Sequence, residues 1–410
     1  MYDPTFGSAA LARHLTKSDF LKQPALRNDA HKEALVNRAV ATARTGFATL
    51  PLTPNNVAGR TIYQVNDLAC DLVLRKAAQN IRRITGSKQG SRIEIVRRLK
   101  LLCEEGLPFI VVKMDIKNFY PSVDQDFLSK QIRKRLMTAP STRSVVRSLI
   151  EQLKINSVNG LPPGLAISVE LSEFYMQDFD NRIREQMNAH YFARYVDDIV
   201  MILPRLDNPN SLETKIEEAL PTGLKLNSSK SKIYPFNNTK MKTPTVEHSF
   251  DYLGFKFSVF HTDKARPTSR RIELDLASSK VRKNKTRIVK SLLQYLSDGH
   301  FDDLRDRVRI LTSGYQFFDE RRQKKQSAGL QHTYSLIEST APALAELDRF
   351  FLKMILCRSG PVGGRLALAL TNRQRKELLK YSFYNGFANR VHFRFSADRL
   401  AELMECWKYA

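Results

Sequence analysis

Two adjacent aspartates, Asp197 and Asp198, stand between two apolar runs in the segment YFARYVDDIVMIL, residues 191–203. Neighbouring carboxylates repel each other and lose hydration on burial, so such a pair resists a place inside a sheet. The pattern predicts two short strands joined by a tight turn that carries both carboxylates. Bound divalent cations would remove the free-energy penalty of holding the two charges together.

An ordinary surface turn is the alternative interpretation of this pair. The chain contains a second pair, Asp302-Asp303, close to Gly299 at the start of a helical stretch. There the aspartates are expected to cap a helix N-terminus and to interact favourably with its dipole. The first pair differs because an apolar run, Ile199–Leu203, follows it without a helix cap.

A third carboxylate, Asp115, lies in the segment FIVVKMDIKNF, residues 109–119. Val112, Met114 and Ile116 fall on one face of a predicted strand, and Asp115 falls on the other. We expect this strand to be buried on one side and to face a polar cleft on the other. Because this strand would point Asp115 into the same cleft, Asp115 is the natural third ligand beside Asp197 and Asp198. Mg²⁺ prefers one or two carboxylates together with substrate phosphates.

Apolar periodicity and turn residues predict the remaining elements. The predicted helices are residues 1–50, Val65–Ile84, Ser91–Leu102, Val123–Leu136, Arg143–Ile155, Ser168–Met187 and Leu212–Leu220. Leu224–Tyr234 and Phe250–Phe257 are predicted strands, and the chain is predicted to be helical after about residue 262. A central sheet with helices at both ends is an α+β fold.

Basic residues dominate the charge of the chain, with 66 Lys+Arg against 42 Asp+Glu and a formal net charge of +24. This excess predicts a polyanionic partner, either nucleic acid or an anionic membrane surface. No apolar run is long enough to span a bilayer, and the N-terminus does not resemble a signal peptide. The four cysteines and eight histidines are scattered, which favours a reduced, cytoplasmic protein without a zinc site.

The densest basic segment runs from Lys264 to Lys290, with ten Lys or Arg residues opposed only by Glu273 and Asp275. Such a segment can neutralise backbone phosphates without reading sequence, although a solvated helix face is the alternative. Farther along, the aromatic and basic segment Tyr381–Phe395 could stack unpaired bases. Alternating aromatic residues are more often part of a core.

Five motifs in this order resemble those of reverse transcriptases, with bacterial retron, group II intron and phage-defence enzymes as the nearest relatives. Tyr195-Val196-Asp197-Asp198 is similar to the YxDD box of that family. The other four resemblances are carried by Asp115–Val123 (DIKNFYPSV), Gly160–Gly164 (GLPPG), Leu226-Asn227 with Lys230, and Tyr252–Phe255 (YLGF).

The resemblance implies a right-hand polymerase fold and RNA-directed DNA polymerase activity by two-metal phosphoryl transfer. It predicts an N-terminal helical extension at 1–52, fingers at 53–108, a palm at 109–258 with finger helices around 124–158, and a thumb with a helical C-terminal region at 259–410. Implied partners are an RNA template, expected to be a structured non-coding RNA of antiphage defence, deoxynucleotides and the DNA product. A membrane partner is not expected, whereas a partner protein or a homo-oligomer is left open.

The resemblance also assigns roles to individual residues. Two Mg²⁺ ions, with Mn²⁺ as a substitute, would be held by Asp115, Asp197, Asp198 and the carbonyl of Ile116. Lys230 would approach the pyrophosphate as a proton donor, and Tyr120 would lie under the sugar of the incoming nucleotide. Further nucleotide contacts are assigned to Pro163, Gly164, Lys88 and Arg92, although a solvated helix face explains Lys88 and Arg92 as well. Contacts with nucleic acid are assigned to Lys280, Arg282, Lys283, Lys285 and Arg287.

One residue departs from the family pattern, because Pro163 replaces the glutamine of the usual Leu-Pro-Gln-Gly loop. Proline offers neither a side-chain hydrogen bond nor a backbone N–H. Protein-primed or untemplated DNA synthesis by the same site therefore stays open. Two further functions compete with reverse transcription, a catalytically idle RNA-binding scaffold and a related RNA polymerase or nucleotide cyclase. The three carboxylates disfavour the scaffold, and Tyr120 with the YxDD box disfavours the polymerase or cyclase.

Overall fold

A computed structural model describes residues 2–57, 59–86, 90–135, 138–204, 210–319, 324–338 and 340–408. The chain packs as two compact units, the first of residues 1–91 and 108–237 and the second of residues 92–107 and 238–410. The predicted boundaries at residues 52, 108 and 258 stay predictions. The mixture of antiparallel sheets and helices confirms the α+β class.

The helices are α1 Ser8–Ala12, α2 Lys17–Lys22, α3 Asp29–Thr45, α4 Leu68–Thr85, α5 Arg92–Cys103, α6 Gln125–Arg135, α7 Pro140–Ile155, α8 Ala166–Gln186, α9 Asn210–Ala219, α10 Ser278–Asp298, α11 Phe301–Thr312, α12 Leu330–Thr333, α13 Pro342–Leu356, α14 Gly360–Ala369, α15 Asn372–Leu378, α16 Phe383–Ala388 and α17 Ala397–Met404. None of the helices in the described ranges combines the length and the apolar character that a bilayer crossing needs.

The strands are β1 Leu52–Val57, β2 Arg60–Val65, β3 Phe109–Asp115, β4 Tyr191–Tyr195, β5 Asp198–Pro204, β6 Lys232–Phe236, β7 Lys240–Met241, β8 Val246–Tyr252, β9 Phe255–Phe260, β10 Thr262–Asp263, β11 Ile272–Leu276, β12 Gly314–Asp319, β13 Lys324–Gly329 and β14 His392–Arg394.

The first unit is built around an antiparallel sheet in the order β4-β5-β3-β6, and helices α4, α7 and α8 pack in the same core. Its central strand β3 is buried along almost its whole length, so the prediction of one buried and one polar face was wrong. Lys113 is half-buried, and Asp115 is only 6% exposed. A strand between two neighbours and beneath helices loses both faces to the core.

A hairpin of β1 and β2 lies between the predicted helices 1–50 and Val65–Ile84, where no strand was predicted. Proline and asparagine are poor strand formers, so Pro54 and Asn55 concealed β1. Pro54 is tolerated because β1 is an edge strand that pairs with β2 alone, opposite Tyr63.

The second unit contains a sheet in the order β11-β9-β8, in which the rings of Phe250 and Phe257 stack with centroids 4.9 Å apart. Helix α10 follows β11 and ends at Gly299, whose φ of 71° is the left-handed conformation that favours glycine at a helix end. Another sheet has the order β13-β12-β14.

The prediction of helix from residue 262 onward was therefore wrong at β11, β12, β13 and β14. The segment Lys324–Gly329 has weak strand propensity and is a strand because it pairs with β12. Strand β14 has three residues, too few for periodicity to detect. Within the predicted strand Leu224–Tyr234, regular pairing begins only at Lys232.

Candidate active site

Three aspartates meet at one end of the central sheet of the first unit. Strands β4 and β5 pair antiparallel with Tyr195 opposite Asp198, so the predicted tight turn consists of Val196 and Asp197. It carries only one of the two carboxylates, because Asp198 is the first residue of β5. On the other side of β5, Asp198 lies opposite Asp115 of β3. The backbone N–H of Ile116 donates to the carbonyl of Asp197 at 3.1 Å, which ties the turn to the end of β3.

The turn is strained at Val196, which has a φ of 60°. A β-branched side chain is disfavoured in this conformation, and glycine is usual at the first central position of such a turn. Local contacts must therefore hold the turn in place.

Arg194 supplies one of these contacts by donating a hydrogen bond to the Val196 carbonyl at 3.1 Å. Its guanidinium is only 3% exposed and pairs with Glu173 at 2.7 Å and Asp180 at 2.8 Å, both on α8. Burial lowers the pKa of Arg194, but the bonds and charges of the two carboxylates outweigh burial and raise it. Sequence analysis missed this residue, although Glu173 and Asp180 are two turns apart on one helix face.

Burial and mutual repulsion raise the pKa values of Asp197 in the turn and of Asp198 beside it. Burial, followed by the charges of Asp197 and Asp115, raises the pKa of Asp198 from 3.8 to about 6. Burial likewise raises the pKa of Asp197, and the charge of Asp115 adds to this. Positive charge here would stabilise the ionised carboxylates, which is the electrostatic requirement of a divalent-cation site.

Asp115 is held by two neighbouring donors. Asn227 donates to its carboxylate at 3.0 Å, and the Lys230 ammonium lies 3.2 and 3.3 Å from its two oxygens. In the described chain, the oxygens of Asp115, Asp197 and Asp198 do not form a group that lies entirely within 4.8 Å. The donor set of three carboxylates on adjacent strand ends nevertheless fits Mg²⁺ or Mn²⁺, and Lys230 compensates part of the charge.

In the second unit, ligand atoms of Asp298, His300 and Asp303 lie within 4.8 Å of one another, closer than the oxygens of the three aspartates in the first unit. The carboxylates of this triplet have partners: Asp303 accepts from Arg399 at 2.6 Å, and Asp298 accepts from Gln294 at 3.1 Å. Asp302 and Asp303 lie in the first turn of α11, as predicted for dipole partners, while the capping position belongs to His300.

The Gly160–Gly164 loop is seated on Tyr120. The N–H of Leu161 donates to the Tyr120 carbonyl at 2.9 Å, and a Cβ at Gly160 would lie 2.2 Å from that oxygen. Only glycine permits this approach. The Tyr120 side chain is half-buried, and burial raises its pKa while a hydrogen bond with Ser172 opposes the rise. Phe119 beside it is 4% exposed and belongs to the core.

The other end of the loop is fixed to strand β2. The N–H of Tyr63 donates to the Pro163 carbonyl at 2.7 Å, and a Cβ at Gly164 would lie 2.7 Å from the Tyr63 carbonyl. The Pro163 carbonyl therefore accepts a hydrogen bond from within the protein. Arg60, on the same strand, is exposed, and its charge partly opposes the burial that raises the pKa of Asp197. Sequence analysis did not assign it a role.

The structure describes only one of the two basic residues that were predicted to contact the nucleotide. Lys88 lies outside the described residues. Arg92 donates to the carbonyl of Leu253 at 2.8 Å, and its guanidinium lies 5.1 Å from the ring centre of Phe255 and 4.9 Å from that of Tyr334. These contacts commit Arg92 to packing within the second unit and argue against the predicted nucleotide role.

The predicted nucleic-acid contacts on α10 divide into two groups. Arg282 and Lys283 are exposed, and the stem of Lys280 lies on the β8–β9 turn, since a Cβ at Gly254 would be 3.0 Å from its Cε. Lys285 instead pairs with Glu346 at 2.6 Å. Arg287 is half-buried with its guanidinium 5.4 Å from the Trp407 ring centre, so its predicted phosphate contact is disfavoured.

Residues 61–257 match the family described as reverse transcriptase (RNA-dependent DNA polymerase). No curated protein matches the chain at a significant level. Among solved structures, the apo telomerase of Candida tropicalis truncated from its C-terminal domain is similar over 52% of this chain and 53% of that one, with 13% identity and a TM-score of 0.33. The chain thus spans about half the length of that structure.

Proposed function

We propose that this chain, whose residues 61–257 match the reverse transcriptase family, is an RNA-directed DNA polymerase, a nucleotidyltransferase with a right-hand polymerase fold. The observation that carries the proposal is the meeting of Asp115, Asp197 and Asp198 at the ends of adjacent strands inside that domain. Such a carboxylate set suits phosphoryl transfer, in which catalysis depends on positioning and charge stabilisation.

Asp115, Asp197, Asp198 and the Ile116 carbonyl would hold the divalent ions of this reaction, for which we propose two Mg²⁺. Bound there, the ions would lower the pKa of the attacking 3′-hydroxyl and neutralise charge on the leaving pyrophosphate. The protein places Asp115 through Asn227 and fixes the Asp197 turn through Arg194 and Ile116. Positioning by such buried contacts keeps reacting groups aligned.

Lys230 is the proposed proton donor to pyrophosphate. Its ammonium lies at Asp115 while its side chain is 57% exposed, so it is free to turn toward an incoming triphosphate. When cations take over the charge of Asp115, the lysine would lose its main attraction to that carboxylate. Arg60 is our candidate for a cation that meets the triphosphate, because it is exposed on β2, the strand whose Tyr63 N–H binds the Gly160–Gly164 loop.

Untemplated or protein-primed synthesis is the second candidate, and it is favoured by Pro163. The Pro163 carbonyl accepts from Tyr63, and its side chain has no hydrogen-bonding group to offer a template base.

We propose that the chain copies a structured non-coding RNA in bacterial antiphage defence; this finer assignment is supported by motif resemblance and by the net charge of +24.

Sequencing both nucleic acids tests the proposal and separates its two forms. The protein is purified with its bound RNA and supplied with deoxynucleotides, and the RNA and the new DNA are both sequenced. DNA complementary to the RNA supports templated synthesis, whereas DNA unrelated to any RNA present supports the untemplated form. Asp197→Asn should make no DNA in this assay, and Asp302→Asn, far along the chain from the predicted ligands, is its matched aspartate control.

A further inference from the structure

We propose that a groove between α6 and α7, outside the carboxylate site, binds the phosphodiester backbone of a single nucleic-acid strand. The groove has a volume of about 410 Å³. Arg133 enters it from α6, and Arg143 and Arg147 enter it from α7. We call it the arginine groove, and the inference goes beyond the proposed polymerase reaction because it concerns strand binding alone.

No ion pair joins its three arginines to a carboxylate within the described ranges, and unlike other unpaired arginines they line one groove together. Two other cations on the same helices do have partners, since Arg135 pairs with Asp178 and Lys154 with Asp126. Arg143 and Arg147 are four residues apart, a spacing at which like charges destabilise a helix. A bound anion would relieve this repulsion.

The rest of the lining also suits a phosphodiester. Ser129 and Ser144 add hydroxyl donors beside the guanidinium groups, while the buried side chains of Ile132 and Ile150 form an apolar floor. Guanidinium groups bind phosphate oxygens through two parallel hydrogen bonds, and hydroxyls are frequent partners of backbone phosphates. None of the described residues that line the groove is acidic, so the groove is unsuited to a metal ion or a basic peptide.

A neighbouring groove of about 570 Å³ extends the path, which favours a polymer over a single phosphate compound. It shares Pro140 and Ser144 with the arginine groove and adds Arg44 from the end of α3. Both grooves border the first turn of α7, a helix of 16 residues whose N-terminus carries partial positive charge. Successive phosphates of one strand can thus meet Arg44, the α7 N-terminus and the three arginines.

Equilibrium binding of unstructured polyuridylate and polythymidylate to the whole chain, without deoxynucleotides, tests the proposal independently of polymerase activity. The variant is Arg133→Gln/Arg143→Gln/Arg147→Gln. The matched control removes the same charge from exposed arginines without an ion pair in the described ranges, as Arg27→Gln/Arg358→Gln/Arg373→Gln. Circular dichroism melting is used to check that both variants are folded.

Loss of three phosphate contacts should lower the slope of log affinity against log salt by about 2, at roughly 0.7 per contact for single strands. The control should change the slope much less. Loss for both polymers supports a site for the shared phosphodiester, and loss for RNA alone supports an RNA strand. An unchanged slope, an equal loss in the control, or complete displacement of the strand by inorganic triphosphate would overturn the proposal.

Discussion

Asp198 links the charge state of the site to pH. Its folded pKa of about 6 lies above the ordinary 3.8, so the native state binds this proton more tightly than the unfolded chain. The resulting stabilisation is complete below pH 3.8 and is lost as pH rises through about 6. At neutral pH the ionised Asp198 therefore destabilises the fold until a cation binds.

We accordingly predict that Asp198→Asn stabilises the chain at pH 7.5 in the presence of a chelator by about 1–2 kcal/mol, after a discount for solvent screening. The gain should vanish near pH 4, where the native carboxyl is already protonated. Mg²⁺ should raise the melting temperature of the wild type more at pH 7.5 than at pH 5, because cations compete with the proton.

Thermal melts at these pH values measure both effects. Asp29→Asn is the control, because a hydrogen bond from Lys32 lowers the pKa of this exposed aspartate and its loss should bring no gain at pH 7.5. Equal stabilisation by Asp198→Asn at pH 4 and pH 7.5 would contradict the electrostatic explanation.

Tyr120 is the residue predicted to select the sugar. Its ring would pack under C2′ and leave no room for a hydroxyl, and a clash of about 3–4 kcal/mol gives a deoxynucleotide preference of roughly a few hundredfold. Tyr120→Ala should then admit ribonucleotides while deoxynucleotide incorporation persists. The ratio of kcat/KM for the two sugars is the measurement.

The core residue Phe119 provides the control for Tyr120. Phe119→Leu should lower stability without changing the sugar ratio, because Phe119 is 4% exposed. If Tyr120→Ala lowers activity toward both sugars alike, Tyr120 is ordinary core and the gate has been placed at the wrong residue.

The β4–β5 hairpin depends on Arg194 for its strained turn. Arg194 donates five hydrogen bonds to Glu173, Asp180 and the Val196 carbonyl, whereas a lysine has only three N–H donors. Arg194→Lys should therefore leave buried acceptors unsatisfied and lower the free energy of unfolding by about 1–3 kcal/mol. Because the turn carries Asp197, kcat for nucleotide addition should fall at least about tenfold at a temperature where the variant is folded.

Affinity for a primer–template separates positioning from general damage, and it should not change in Arg194→Lys. Arg135→Lys is the matched control, since Arg135 pairs with Asp178 of the same helix α8 but is partly exposed. A variant with lower stability and unaltered kcat would restrict Arg194 to a structural role.

Helix α10 carries the residues predicted to contact nucleic acid. Some of these residues are exposed, and others are engaged in contacts within the protein. Lys280→Gln/Arg282→Gln/Lys283→Gln should weaken nucleic-acid binding and lower the log–log salt slope by about 2–3, at roughly 0.7–0.9 for each contact. Arg287→Gln should mainly lower stability, because it removes the contact with Trp407. Unchanged affinity and slope in the triple variant would show that the exposed residues form only a solvated face.

The sequence predicted the elements that have strong local signals. The β4–β5 turn was found because two charges interrupt an apolar run, and α4, α7 and α8 because their apolar periodicity is long. Strand β1 was missed because Pro54 and Asn55 disfavour strands, and β13 because only its partner β12 makes Lys324–Gly329 extended. Arg194 was missed because its partners Glu173 and Asp180 are brought to it by tertiary packing.

For the chain as a whole, the decisive question is whether it polymerises deoxynucleotides on RNA at the carboxylate site. Primer extension on a defined RNA template, with wild type and Asp197→Asn compared at saturating Mg²⁺, answers it most directly. Circular dichroism confirms that the variant is folded. We predict template-complementary DNA from the wild type and none from Asp197→Asn, because losing one ligand removes charge stabilisation in the transition state. Equal synthesis by both proteins, or no synthesis by a folded wild type bound to the primer–template, would contradict the account.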